Sequence, residues 1–196
     1  MDAIANTIRA VYERKQYRFF DSAKPFNLNL FGIRYPDGLN DWSDFLCVLY
    51  RDDRLAWRLY QTPATTKSGL DGLRKPVNPK GTGTLVPGQY PAYRLDMHNG
   101  KHLAICQRVA PVKVYRDNNR DVILDTNAAT IEEGFFGVNI HSPFSDSETV
   151  DGRSVACQVP STVSAWKHIL SLAQKSANLY GNSFTYTLFE VADFAA

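Results

Sequence analysis

The spacing of apolar and polar positions changes several times along the chain. Between residues 2 and 15, Ile4, Ile8, Val11 and Tyr12 recur at helical spacing with Arg and Glu between them, which predicts an amphipathic helix. From about Asn27 the period shortens to two. "FNLNLFGIRY" alternates as a strand and is broken by "PDG". "DFLCVLYRDDRLAWRLYQT" predicts two strands joined by a turn at Arg51–Arg54. "AYRLDMHNGKHLAICQRV" predicts two more around Asn99–Gly100, a pair suited to a turn whose two central residues need positive φ. "PVKVYRDNNRDVILDT" predicts a further hairpin turning near Asn118–Asn119. Helical spacing returns at Val163, Trp166, Ile169, Leu170 and Ala173, with Ser161 or Thr162 as the cap and Gly181 as the stop. "SFTYTLFEV" closes as a strand. Residues 62–90 show little period and are dominated by Gly, Pro, Thr and Lys, which predicts a long functional or mobile loop.

The order helix, strands, helix, strand predicts a mainly β (α+β) fold. We expect one β-sandwich-like, mixed-strand domain over residues 1–196, with peripheral N- and C-terminal helices and residues 1–25 as a helical extension. The 12% aromatic content favours pleated faces, and the net charge of +2 demands no nucleic acid. No run approaches the ~18 apolar residues of a membrane span. The start carries an acid at position 2 and no continuous apolar run, unlike a secretory signal. The expected route is therefore synthesis in the cytoplasm, with release needed for any action outside the membrane.

Three cysteines, Cys47, Cys106 and Cys157, form no disulfide framework and no Cys-x-x-Cys zinc motif. Cys47 and Cys106 sit inside apolar strand-like runs and read as buried structural thiols. His98 and His102 flank the Asn-Gly turn and are expected to face each other across a hairpin rather than hold a metal. Asp117, Asn119, Asp121 and Asp125 imitate the start of a calcium loop, but Val122 and Ala128 stand where its Gly and Glu belong, so a polar hairpin tip is expected. His168 reads as surface or half-buried packing. No cofactor is implied.

His141 and Cys157 stand apart. His141 ends an apolar run, a polar stretch follows over residues 142–153, and Ser154 and Ala156 surround the thiol with small residues. A thiol becomes nucleophilic as thiolate, and a nearby imidazole or backbone N–H groups favour that form. Small neighbours let a carbonyl approach N–H groups near Ala156 and Cys157 that could form an oxyanion hole.

The arrangement resembles the YkuD-type L,D-transpeptidase family. The histidine precedes the cysteine by sixteen positions, Ser154 matches the motif serine three before the cysteine, and "GVNIH", "SVACQV" and Trp166 follow in the family's order. Pro87, Gly88 and Tyr90 match its "TPxGxY" segment. The likeness covers about residues 80–170. It implies an L,D-transpeptidase-like fold and an enzyme acting on peptidoglycan stem peptides through a Cys157 thioester. Cys157 would be the nucleophile, His141 the base, and Ser154 a residue that shapes the site and orients the imidazole. Tyr90, Ser142, Arg153, Ala156 and Gln158 are the candidate substrate-binding positions. The chain departs from the family at Ser142 and Ala156, both Gly there, and at Val159, an Arg there. These departures weaken transfer more than hydrolysis, so cleavage by an L,D-carboxypeptidase or endopeptidase of the phage-lysis kind is expected beside transpeptidation. The alternative is an inactive wall-binding or structural module on the same scaffold. The short His-before-Cys order opposes papain-like and sortase enzymes.

Overall fold

A computed structural model describes residues 1–195. In chain order the elements are helix α1 (Asp2–Arg14), strands β1 (Asn29–Arg34), β2 (Asp44–Arg51) and β3 (Trp57–Thr65), helix α2 (Leu70–Arg74), strands β4 (Thr82–Leu85), β5 (Gly88–His98), β6 (His102–Gln107), β7 (Val112–Asp117), β8 (Glu132–Gly134) and β9 (Val159–Pro160), helix α3 (Val163–Tyr180) and strand β10 (Phe184–Glu190). The fold is mainly β with helices added, as the pattern predicts. Seven strands form one curled sheet in the order β6-β5-β10-β1-β2-β3-β9, and β4, β7 and β8 form a second, three-stranded sheet.

The predicted hairpins β2–β3 and β5–β6 form, and Asn99 and Gly100 adopt φ of 51° and 68° as their turn requires. In α3, Thr162 accepts the Ala165 N–H at 3.2 Å, and the chain leaves the helix at Gly181 with φ 89°. Two expectations fail. Residues 62–90 are not one loop: they hold the end of β3, α2, β4 and the start of β5. Backbone pairing there leaves no mark on the pattern, because Gly, Pro and Thr carry no hydrophobic period. The hairpin at Asn118–Asn119 is also absent. β7 pairs instead with β4 and β8, while Asn119 ties Asp121 and Asp125 into an irregular loop. Short polar side chains there hydrogen-bond locally and compete with strand pairing.

The curled sheet has two packed faces. Leu30, Leu46, Val48, Ile105, Ile140 and Tyr186 pack with Trp166, Ile169, Leu172 and Ala173 of α3 in the larger cluster. Ala5, Ile8, Val11 and Tyr12 of α1 cover Phe31, Cys47, Leu49, Trp57 and Phe189 on the other. Each buried Leu, Ile, Val or Phe among these contributes about 1.5–3 kcal/mol relative to exposure.

The two edge strands of the curled sheet meet through one residue. Ile140 exchanges both backbone hydrogen bonds with Ile105 of β6 and forms a parallel bridge to Gln158, just before β9. The segment around residue 140 therefore closes the sheet across its edges, and His141 and Cys157 lie at that closure.

Candidate active site

Asn139–His141 and Cys157–Val159 run parallel: Gln158 N–H donates to Asn139 O at 2.8 Å and His141 N–H to Gln158 O at 3.2 Å. Side chains alternate along paired strands. Ile140 enters the core, and Gln158 Oε1 accepts the buried Tyr186 hydroxyl at 2.9 Å. Asn139, His141 and Cys157 consequently share the opposite face. The sequence places the imidazole and thiol sixteen residues apart, and backbone pairing makes them neighbours across two adjacent segments.

The turn carrying Cys157 is clamped by a segment that sequence reasoning passed over. Gly69 N–H donates to Ser154 O at 3.0 Å, and Ala156 N–H donates to Ser68 Oγ at 3.1 Å. The Ser154 hydroxyl lies 2.8 Å from both the Lys67 and Cys157 carbonyls. Lys67 itself is buried, 3.2 Å from Asp44 and hydrogen-bonded to the carbonyls of Asp37 and Gly38. Ala156 sits at φ 79°, where glycine is preferred.

His141 Nδ1 donates to the Ser142 carbonyl at 2.7 Å, leaving the Nε2 lone pair free to accept a proton. Burial lowers its pKa to about 4; the Ser142 contact opposes this, and His98 and His102 add to it. Burial pushes the Cys157 thiol up to about 11, opposed by the Asn139 N–H aimed at the sulfur. Both groups are neutral at pH 7. The thiol contacts the Gly137 carbonyl at 3.6 Å and makes no hydrogen bond to His141.

Two rings lie against the imidazole, and a third meets one of them. His98 stacks on His141 with centroids 4.4 Å apart and planes 18° apart; Phe144, 48% exposed, stacks at 5.4 Å and also meets His102 at 4.9 Å. Phe144 comes from the polar stretch after His141, which thus covers the site through its one aromatic residue. His98 and His102 are cross-strand partners, as expected, but His98 turns toward His141. Among the described residues no group of three His, Cys, Asp or Glu is placed to hold a metal.

A cavity of about 370 Å³ adjoins the cysteine turn, lined by Val77, Thr82, Arg116, Phe136, Val155 and Ala156 among others. It reaches Ala156 and Phe136, the chain neighbours of Cys157 and Gly137, while neither Cys157 nor His141 lines it. A second hollow of about 480 Å³ shares Val77 and Val155 with it and adds Asp71, Arg74 and Lys75, so a groove runs past the turn.

The remaining expected residues are placed as follows. Ser154 does not orient the imidazole, because its hydroxyl faces two backbone carbonyls and the Ser142 carbonyl holds His141. The Ala156 N–H is occupied by Ser68 and is no oxyanion donor here. Gln158 is fully buried and faces inward, its amide bonded to Ala156 O at 3.0 Å. Arg153 reaches Thr149 O and Ser145 Oγ, within the loop of residues 142–153. Tyr90 donates to Val86 O and shares no hydrogen bond with the His141–Cys157 site. Sequence reasoning missed Ser68, Lys67, Gln107 and Asn139, polar residues with no motif spacing around them.

No family model matches the chain, and no curated protein and no solved structure matches it either.

Proposed function

We propose that the protein is a cysteine-dependent acyl-transfer enzyme acting on peptidoglycan stem peptides, with an L,D-transpeptidase-like site. The observation that carries this reading is the shared face of His141 and Cys157, with His141 Nδ1–H tied to the Ser142 carbonyl. That tie gives a nucleophile, a base with a free Nε2, and a group that orients the base. The positive φ of Ala156 adds support, since this is the motif position where the resembled family carries glycine.

In the reaction, the Cys157 S–H bond breaks and its proton passes to His141 Nε2 as sulfur attacks a peptide carbonyl carbon. The tetrahedral oxyanion then collapses, the C–N bond breaks, and His141 returns the proton to the leaving amine. Water attacking the thioester gives cleavage; an amine gives transfer. The groove past Val77, Val155 and Ala156 has room for the flanking peptide, and Arg74 and Lys75 give one end of it cationic character. Intact sacculi incubated with purified protein, with soluble products read by mass spectrometry, test the reading. Shortened or cross-linked muropeptides are expected from the wild-type protein and none from Cys157→Ala. Equal products from both proteins would sink it.

One observation favours a second reading, a catalytically inactive wall-binding or structural module. The thiol is buried, raised to about 11 and bonded toward Gly137 rather than His141. Binding to sacculi without any change in their composition would select this alternative.

A further inference from the structure

Two asparagine and glutamine residues with no assigned role form a buried chain of hydrogen bonds that ends on the ring beside the base. Gln107 N–H donates to Asn139 Oδ1 at 2.9 Å, which orients that amide. Asn139 Nδ2 must then donate to His98 Nδ1, 2.9 Å away. A nitrogen that accepts a hydrogen bond carries no proton, so His98 is the neutral tautomer with its proton on Nε2. Asn99 Nδ2 lies 3.1 Å from Nε2; two donors cannot share that contact, so the Nε2–H tautomer requires the Asn99 amide to turn its oxygen to the ring. The Gln107 side chain steadies the same region: Oε1 accepts the N–H groups of Phe136, Gly137 and Val138, and Nε2 donates to Ala110 and Gly134.

The locked His98 ring lies nearly parallel to the His141 ring, 4.4 Å from it. We infer that His98 is a positioning residue for the base: held neutral by Asn139, it fixes the plane of the His141 imidazole and stacks on the imidazolium formed when His141 takes the thiol proton. The inference rests on the proposed acyl-transfer reading. His98 exchanges no proton; the only transfer runs from Cys157 Sγ to His141 Nε2. A second proton on His98 would set two positive rings face to face, and the Asn139 donor blocks its Nδ1 against that. The titratable groups acting on His141 are His98 and His102 from the β5–β6 hairpin, with Arg108, just after β6, and His102 acting on His98; Cys157 faces the ring's side from the neighbouring segment. Phe144 covers the stack with a neutral ring.

Three substitutions separate ring from acceptor. His98→Phe keeps the ring, His98→Gln keeps the acceptor, and His98→Ala removes both. The measurements are iodoacetamide labelling of Cys157 from pH 5 to 9, followed by peptide mapping, and titration of the His141 ring by NMR. With His98→Gln and His98→Ala, labelling at pH 7 is expected to fall about fivefold or more and the His141 midpoint to move, while His98→Phe stays within about twofold of wild type. In the unsubstituted protein, NOEs between the two imidazoles and a constant Nε2–H tautomer of His98 over pH 5–8 are expected; this needs no variant to fold. Unchanged labelling in folded His98→Ala, or a His98 that titrates in that range, overturns the inference while leaving the base reading intact. Labelling that is the same in wild type and His141→Gln overturns the base reading itself, and the inference with it.

Discussion

Ala156 concentrates the residue-scale chemistry of the site. Its φ of 79° places an L residue where a Cβ is costly, and its N–H is fixed by Ser68. Ala156→Gly removes the Cβ strain at some cost in unfolded-state entropy, and the net effect on stability is expected within about 1 kcal/mol of zero. Ala156→Val adds a branched side chain at the same φ and is expected to cost about 2 kcal/mol or more. Urea denaturation of the two variants checks this; equal stabilities would mean the turn relaxes out of the positive-φ region. At this scale the sequence was informative about identity and silent about partners. Cys157 and His141 stood out because spacing around them resembles a motif, and strand pairing does bring their segments together. Ser154 was legible as a nearby residue, yet its hydroxyl turns to the Lys67 and Cys157 carbonyls, a direction set by a segment 87 residues away. Gln107 and Asn139 gave no signal, since a polar residue in a strand gains meaning only from the strand it meets.

Elements with a strong period, or with a turn pair whose φ demands are specific, were readable: α1, the β2–β3 and β5–β6 hairpins, α3 and β10. The strands that went unread share one cause. β4 and β9 are short, and their stability comes from pairing with distant strands rather than from local pattern; the apolar run ending in His141 was readable as a strand, but not the two edges it joins. Residues 67–69 belong to this class, although they clamp the cysteine turn. Lys67 and Asp44 are both nearly inaccessible, so removing Lys67 leaves the buried Asp44 carboxylate without its ion-pair partner, held only by the Tyr35 and Thr66 N–H groups and the Thr66 hydroxyl. Lys67→Ala is therefore expected to cost about 3–5 kcal/mol in denaturant unfolding. Lys67→Ala combined with Asp44→Asn should recover part of that loss, since the buried charge goes with its partner. No recovery would show that the hydrogen bonds of Lys67 to Asp37 and Gly38, not the ion pair, hold the clamp.

Across the whole molecule, closure of the curled sheet through Ile140 buries an imidazole and a thiol in their neutral forms, and this ties stability to pH. His141 has a folded pKa of about 4 against an ordinary 6.5, so between those values the unfolded chain binds more protons. Stability is then lost as pH falls from about 6.5 to about 4, by about 3 kcal/mol from this group. Cys157 has the opposite sign. Its folded pKa is raised from 9.0 to about 11, so the folded state holds the proton longer and stability declines as pH rises through that window. A plateau between roughly pH 6.5 and 9 is expected in thermal melts. His141→Gln should flatten the acid limb, and an acid limb unchanged in that variant would place the burial cost elsewhere. Among the described residues no helix is long and apolar enough to cross a membrane. The same closure sets the proposed chemistry, because it puts the proposed base and nucleophile on one face, with Ala156, the chain neighbour of Cys157, lining the groove. The proposed enzyme must pass through one covalent state, an acyl group on Cys157. Intact-protein mass spectrometry after rapid acid quench of a reaction with stem tetrapeptides looks for that state directly. The expected result is a mass increase equal to the donor acyl group, mapped to Cys157 and absent in Cys157→Ala. An unmodified Cys157 while substrate is consumed, or an adduct mapped to another residue, would contradict it.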